Sequence, residues 1–468
     1  MSDFSIMQSN LQAKIKSRSM GLKLMVVCAL ALLMTIPALF VYFVVNDRSQ
    51  RSEDVVRQIS DEVGGQLTFL GPTLAIPYSV PAHSAAEETK HGVYLVFPAR
   101  ASAHAKTSTE ERHRSLFKVP VFQADLELDG DFDLTGVPAA APAGAELDWS
   151  RAEILVGASD ARGARADATM TSGGKTSTLA PSQLGNSLSM ETAQAGPLKL
   201  MLFGADAHDF ASPNAKFSVS TALRFSGAQR IAILAYGKTT HLVVDGDWSS
   251  PSFDGGFLPV TRSIFNNGFN AEWSVPYIAR GVAAEGESNL ISGLDATALG
   301  VSFVETADPY QSVTRSLKYV LLFLGLLFLS YFIFEATTGK RVHPAQYILV
   351  GVAQIIFYLL LLSLAERIGF DFAFLAAGVA TVALLSANAG WIFTSRKEGF
   401  KALAVFTLLY SLIYMLLRLE DNALLVGAIA SFAAIAAAMY FTRGIDWYSS
   451  LPDKGRQALA SEAPKPSA

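Results

Sequence analysis

Long apolar runs stand at both ends of this chain, and a mixed, alternating pattern fills the middle. A helix needs about 20 apolar residues to cross a hydrocarbon core. Leu22 to Val45 meets that length, with its one charge, Lys23, at the start. The run ends in bulky Phe40, Val41, Tyr42 and Phe43, unlike the small-residue site at which a signal peptide is cleaved, so it reads as a retained anchor. Further runs follow at Leu317 to Phe334, Gln346 to Ala365, Phe372 to Phe393, Lys401 to Leu417 and Ala423 to Phe441. The pattern predicts six spans, one plus five, with a cytoplasmic tail at 1–21, an anchor at 22–45, an extramembrane domain at 46–316, a five-helix bundle at 317–441 and a second tail at 442–468.

Just past the anchor, Val55, Val56, Ile59 and Val63 form a helical stripe that Gly64 and Gly65 end. From about Leu70 the period changes to two. Phe217, Val219, Thr221, Leu223 and Phe225 alternate with Ser218, Ser220, Ala222 and Arg224, and Leu126, Leu128, Phe132 and Leu134 alternate with carboxylates. One or two antiparallel β-sandwiches are expected, with exposed loops at Pro138 to Gly144 and Arg162 to Gly185.

Composition agrees: 51% of the residues are hydrophobic and 17% charged, too apolar for a wholly soluble chain. The single cysteine, Cys28, lies in the anchor, so the domain is held by packing and not by disulfides. Lysine and arginine favour short cytoplasmic loops. Lys14, Lys16, Arg18 and Lys23 stand at or before the first span, Lys340 and Arg341 after the second, Arg396, Lys397 and Lys401 after the fourth, and Arg443, Lys454 and Arg456 after the sixth. The opposite loops carry Arg367 and Arg418, each near a carboxylate, Glu366 or Glu420. Both termini are therefore expected in the cytoplasm and the large domain outside, which in a bacterial inner membrane is the periplasm. Between Asn46 and Ser316 the domain holds about 31 acidic against about 21 basic residues, which argues against nucleic acid or anionic head groups as its ligand.

Candidate chemistry is sparse. Asp125, Glu127, Asp129, Asp131 and Asp133 line one strand face, and Asp129-Gly130-Asp131-Phe132-Asp133 imitates the start of a calcium loop, but its glycine is misplaced and Ala140 stands where the closing glutamate belongs. A solvated acidic face is the plainer reading. His83, His91, His104, His113, His208 and His241 lack metal-ligand spacing, and neither HExxH nor GxSxG occurs. No enzyme activity, metal or cofactor is expected. In the spans, ionisable residues keep to the ends (Glu335, Glu366, Arg418, Glu420 and Asp421), where snorkelling explains them. Gln354, mid-span, and Asn388 either join helices or line a path, joining being the commoner use. Gly427 with Ser431, and Ala430, Ala434 and Ala438, suit close helix packing, within the bundle or against a second copy.

Several segments together resemble the CreD family of bacterial inner-membrane proteins. They are Gln66 with LGPTLAIPY at Leu70 to Tyr78, WSSPSFDGGFLP at Trp248 to Pro259, FNAEW at Phe269 to Trp273, and Tyr310, Arg315, Lys318 and Tyr319. In the C-terminal part they are FEATTGKRVHPAQYILVG at Phe334 to Gly351, FYLLLLSLAE at Phe357 to Glu366, EDNALLVG at Glu420 to Gly427, and TRGIDWY at Thr442 to Tyr448. The resemblance covers most of the chain apart from its termini and stretches such as Ser84 to Ser115. It implies a protein of cell-envelope integrity, tied to an envelope and metabolic two-component system and to tolerance of β-lactams and colicins, with no catalytic activity or cofactor.

Of the matched residues, Gly71 with Pro72 and Gly255 with Gly256 read as turns, and Trp248, Phe253, Phe257 and Trp273 as large core candidates. Glu335, His343, Gln346 and Tyr347 fall around the first cytoplasmic loop; Arg443, Asp446, Trp447 and Tyr448 fall beyond the last span, where Arg443 is placed to pair with Glu335. The expected role is a domain that binds or scaffolds other envelope proteins, held by the bundle in the lipid bilayer. An insertase-like factor of membrane-protein biogenesis, and after it a transporter, are the alternatives.

Overall fold

The computed structural model describes residues 20–82, 89–114, 117–137, 141–185, 188, 199–304, 309–418 and 423–443. They fall into two units, one of Met1–Arg51 with Ala307–Ala468, the other of Ser52–Thr306.

The first unit is helical. Helices α1 (Met20–Leu33) and α2 (Thr35–Val63) are separated only at Met34, and α2 runs on into the second unit. After the sheets come α3 (Pro309–Lys318), α4 (Val320–Thr338), α5 (Pro344–Ile368), α6 (Phe370–Ile392), α7 (Arg396–Arg418) and α8 (Ala423–Thr442). Among the described residues five stretches are long and apolar enough to cross a membrane: Gly21–Val63, Val320–Thr338, Pro344–Ile368, Phe370–Ile392 and Arg396–Arg418. The apolar part of α8, Leu425–Tyr440, is shorter than these.

The span expected from Leu317 begins at Val320, because Tyr319 leaves helical geometry and sets α3 apart. That helix buries Tyr310, Val313, Ser316 and Leu317, a face at three-to-four-residue spacing in an otherwise polar segment. Gly339, in the left-handed region at φ 69°, ends α4 and donates its N–H to Glu335 O. His343 caps α5, its Nδ1 accepting from the Ala345 N–H, and Pro344 fills the first turn, where no N–H partner is needed.

Two glycine contacts set helix spacing. A Cβ on Gly351 of α5 would lie 2.8 Å from Met34 Cγ and 2.9 Å from Phe328 Cζ, so this glycine admits both side chains. A Cβ on Gly399 would stand 3.3 Å from Gly390 Cα, so α6 and α7 nearly touch at the end where they join.

The second unit packs two sheets. One runs β15 (Thr261–Phe265), β16 (Gly268–Val275), β13 (Thr239–Gly246), β3 (Arg100–Arg114), β4 (Phe117–Asp133), β11 (Lys216–Ala228), β7 (Thr169–Ser172) and β8 (Lys175–Thr178). The other runs β14 (Pro251–Gly255), β18 (Ala298–Phe303), β12 (Arg230–Leu234), β1 (Leu67–Val80), β6 (Glu153–Ala158), β10 (Met201–Asp206) and β9 (Ala180–Pro181), with β2 (Lys90–Val96) and β5 (Glu146–Leu147) paired to β1 and β17 (Glu285–Glu287) to β2. The expected alternation is present: Val219, Thr221, Leu223 and Phe225 of β11 face the core while Ser218, Ser220, Ala222 and Arg224 face out. Phe69, Phe225, Phe122, Tyr236 and Trp273 fill the space between the sheets. The helical stripe of Ile59 and Val63 packs on Val119, Val121 and Ala228.

Three expectations are corrected. The sheets are mixed and not purely antiparallel: β1 pairs with β12, and β13 with β3, in parallel. Such neighbours lie far apart in sequence, so local periodicity carries no trace of them. Arg162 to Gly185 is not one loop; it holds β7 and β8, joined through Gly173 and Gly174 at φ 55° and 79°. Gly71 and Pro72 are not a turn but lie inside β1, where the pairing with β6 shifts register; a Cβ on Gly71 would come within 2.4 Å of the Tyr236 ring.

Candidate functional site

The densest polar arrangement in the helical unit surrounds Glu335, near the end of α4. Its carboxylate is buried, 3% exposed. Oε1 takes the Lys23 ammonium of α1 and the Val342 N–H at 3.0 Å; Oε2 takes the Tyr347 hydroxyl at 3.2 Å. Lys23 also donates to Val342 O at 2.9 Å. One carboxylate thus ties α1, α4, the 339–343 loop and α5. This corrects two expectations. Glu335 does not snorkel, because its charge is satisfied inside the unit, and its cation is Lys23, not Arg443, whose guanidinium lies over the Tyr440 ring at 4.3 Å. His343 is exposed and caps α5; Gln346 is half-buried one turn into it. Glu420, Asp421, Asp446 and Trp447 lie outside the described residues.

Halfway along the bundle, Gln354 is 1% exposed and its Oε1 accepts from the Tyr410 hydroxyl at 2.6 Å, joining α5 to α7. Its Nε2 and the neighbouring Tyr358 hydroxyl have no partner within the protein among the described residues. At the far end Glu366 accepts from the Tyr310 hydroxyl at 2.9 Å, with Arg48 4.0 Å away, and Asp371 takes Arg418 and the Tyr414 hydroxyl. Each bond links separate helices, the arrangement expected where lipid offers polar groups no partner.

In the sheet unit the matched aromatic residues are structural. Trp273 is fully buried, its indole N–H on Phe257 O at 3.0 Å and its ring 5.8 Å from that of Phe253. Phe253 is half-buried and also meets Phe269 edge-on. Half-buried Trp248 donates to Val304 O at 3.1 Å and packs on Phe303. The acidic strip lies along extended β4, where Asp125 meets Arg224, Asp131 takes the Ser218 hydroxyl and Asp133 meets Lys216, so these carboxylates bond across strands. Buried Arg280, which sequence reasoning missed, gives its guanidinium to Ala235 O and Ala283 O and lies 4.3 Å from the Phe97 ring centre; burial pulls it down to about 10.

These aromatic residues hold up an unusual edge. Strand β15 ends its sheet and is exposed at every position, Ile264 and Phe265 among them, with Leu258 and Val260 exposed just before it and Ile278, 93% exposed, after β16. Free edges invite pairing, and proteins blunt them with lysine, proline or short polar strands. The opposite edge strand, β8, is four polar residues beginning at Lys175; β15 is five residues and begins with polar Thr261, Arg262 and Ser263, which leaves Ile264 and Phe265 as its apolar end.

Several apolar spans joined in one chain to a large sheet-rich unit define an integral membrane protein. A family profile described as inner membrane protein CreD matches residues 19–448, and the chain belongs to that family. It is similar to inner membrane protein CreD of Escherichia coli (strain K12), with 30% identity over 440 residues, covering 90% of this chain and 92% of that one.

Proposed function

We propose that the chain is a non-enzymatic inner-membrane protein that supports envelope integrity and tolerance of stress, β-lactams and colicins, by docking an extended segment of another envelope protein on its sheet unit. In this reading α8 is a sixth span, both termini are cytoplasmic and the sheet unit is periplasmic. The observation that carries it is the exposed apolar end of edge strand β15, Ile264 and Phe265, flanked by Leu258, Val260 and Ile278. Strand addition supplies main-chain bonds, and alternate side chains of the edge supply selectivity.

The test complements a deletion strain with the natural chain or with Ile264→Asp/Phe265→Asp, exposed positions where substitution changes stability by roughly 0.5 kcal/mol or less. The variant should reach the membrane at normal level yet leave the strain sensitive to β-lactams and colicins, and a photo-crosslinker at Val260 should lose its adduct. Full tolerance in the variant would refute edge docking; a deletion strain with normal tolerance would refute the integrity role itself. For topology, alkaline phosphatase fused after Asp47 should be active and after Arg443 inactive; activity at Arg443 would mean that α8 does not span.

A further inference from the structure

The seam between α6 and α7 is open to the outside of the helical unit along most of its length. A cavity of about 570 Å³ lies between Phe374, Gly378, Leu403 and Tyr410. A second, of about 590 Å³, lies between Ser386, Gly390, Trp391 and Arg396, and the two adjoin at Ala383 and Leu403. Each falls within the roughly 300–1,000 Å³ of ligand pockets. The first is lined mainly by apolar groups; polar groups gather in the second, toward the α6–α7 turn.

Two independent observations say what fits. Ser386 lines the second cavity; the residue is 7% exposed, and its buried hydroxyl has no hydrogen-bond partner among the described residues. A helical serine in lipid ordinarily bonds the carbonyl one turn back, as Thr381 does to Ala377 O at 2.8 Å, so Ser386 is left with a donor to offer. The mouth is also strongly basic. Lys340 reaches Phe393 O and the Thr394 hydroxyl, and Arg396 and Lys397 are exposed beside them. Glu398, the nearby carboxylate, takes Lys401 at 2.8 Å, so among the described residues Lys340, Arg396 and Lys397 have no carboxylate partner.

We propose that this seam binds an anionic phospholipid, its phosphate at Arg396 with Lys340 and Lys397 near, an ester oxygen on the Ser386 hydroxyl, and an acyl chain along Ala383, Leu403 and Gly378. Depth supports the division of labour. Ser386 lies six residues inside the end of α6 at Ile392, roughly 9 Å at 1.5 Å per residue, so a ligand touching both must carry a second acceptor below its phosphate and an apolar tail beyond it. The site is separate from the β15 edge and stands whether or not edge docking does.

The test uses the full chain, purified in detergent, stripped of lipid and titrated with phosphatidylglycerol or phosphatidylcholine while native mass spectrometry counts retained lipid. A single phosphatidylglycerol should be kept, about tenfold more tightly than phosphatidylcholine, which has the same phosphate but adds a choline cation that Lys340, Arg396 and Lys397 repel. Arg396→Gln should erase that preference, Ser386→Ala should weaken both lipids, and Gly378→Phe should displace the chain. Leu403→Trp, at a partly exposed position on the same seam, serves if Gly378→Phe fails to fold. Glycerol 3-phosphate, which has the phosphate without the tail, should not compete. Equal retention of the two lipids by the natural chain, full competition by glycerol 3-phosphate, or a co-purified membrane helix crosslinked at Leu403 would each overturn the proposal.

Discussion

Glu335 shows how much one side chain can decide. It accepts from Lys23, the Val342 N–H and Tyr347, so removing either charge strands the other in a place with little water. Breaking a buried pair costs about 3–5 kcal/mol, whereas removing both charges costs far less. Lys23→Met and Glu335→Gln are each expected to lower the unfolding free energy in detergent by about 3 kcal/mol, and the double variant by clearly less than the sum. Additive losses in that cycle would mean that the contact is not an energetic pair. The sequence marks Glu335 as a matched residue at a helix end, but its burial was not legible there, since its partner lies 312 positions away. Arg280 was invisible for a related reason: its partners are backbone carbonyls, which leave no mark in side-chain identity.

For whole elements, legibility divides by what each depends on. The four middle spans stand within about five residues of their expected bounds, because composition alone carries the signal; the first apolar run lies in a helical stretch that continues to Val63, and the apolar part of α8 is shorter than the other spans. The ten-residue α3 was missed: Tyr310, Val313 and Leu317 do show the spacing, but three apolar positions are too few to separate a helix from the end of the domain. Strand identity follows from alternation, whereas the partner of β1 follows from packing far along the chain. Helices apolar on all sides, such as α6, do not reveal which face meets a neighbour, so the seam with α7 could not be seen from sequence. Gly351 gives the packing of α1 a direct test. With Met34 and Phe328 already inside contact distance of a Cβ, Gly351→Ala should cost about 1 kcal/mol as the flexible Met34 tip shifts. Gly351→Leu should lower the unfolding free energy in detergent by about 3 kcal/mol or more and displace α1. Equal stability of the two variants would show that the contact does not hold α1.

Across the whole molecule, part of the acidity of the sheet unit is tied up in ion pairs. The Lys216 ammonium and the Thr135 hydroxyl and N–H hold the Asp133 carboxyl well below the usual carboxylate range, while Arg162 lowers Asp160 and Lys175 lowers Asp209. A carboxyl depressed on folding contributes stability above its unfolded value, about 3.9 for aspartate, and loses it as pH falls toward the folded value. The thermal midpoint of the full chain in detergent should therefore stay level from pH 7 to about 5 and drop below about pH 4. Asp133→Asn with Asp209→Asn should lower the neutral plateau slightly and flatten the acid limb by the same amount, because the stability lost in acid is what these pairs contribute at neutral pH, and that is small for exposed pairs. A midpoint already falling at about pH 6 would mean that groups other than these aspartates control acid stability. A level plateau would mean that mild acid leaves the sheet unit folded, so any response of the protein to mild acid would have to act through a bound partner or lipid and not through unfolding.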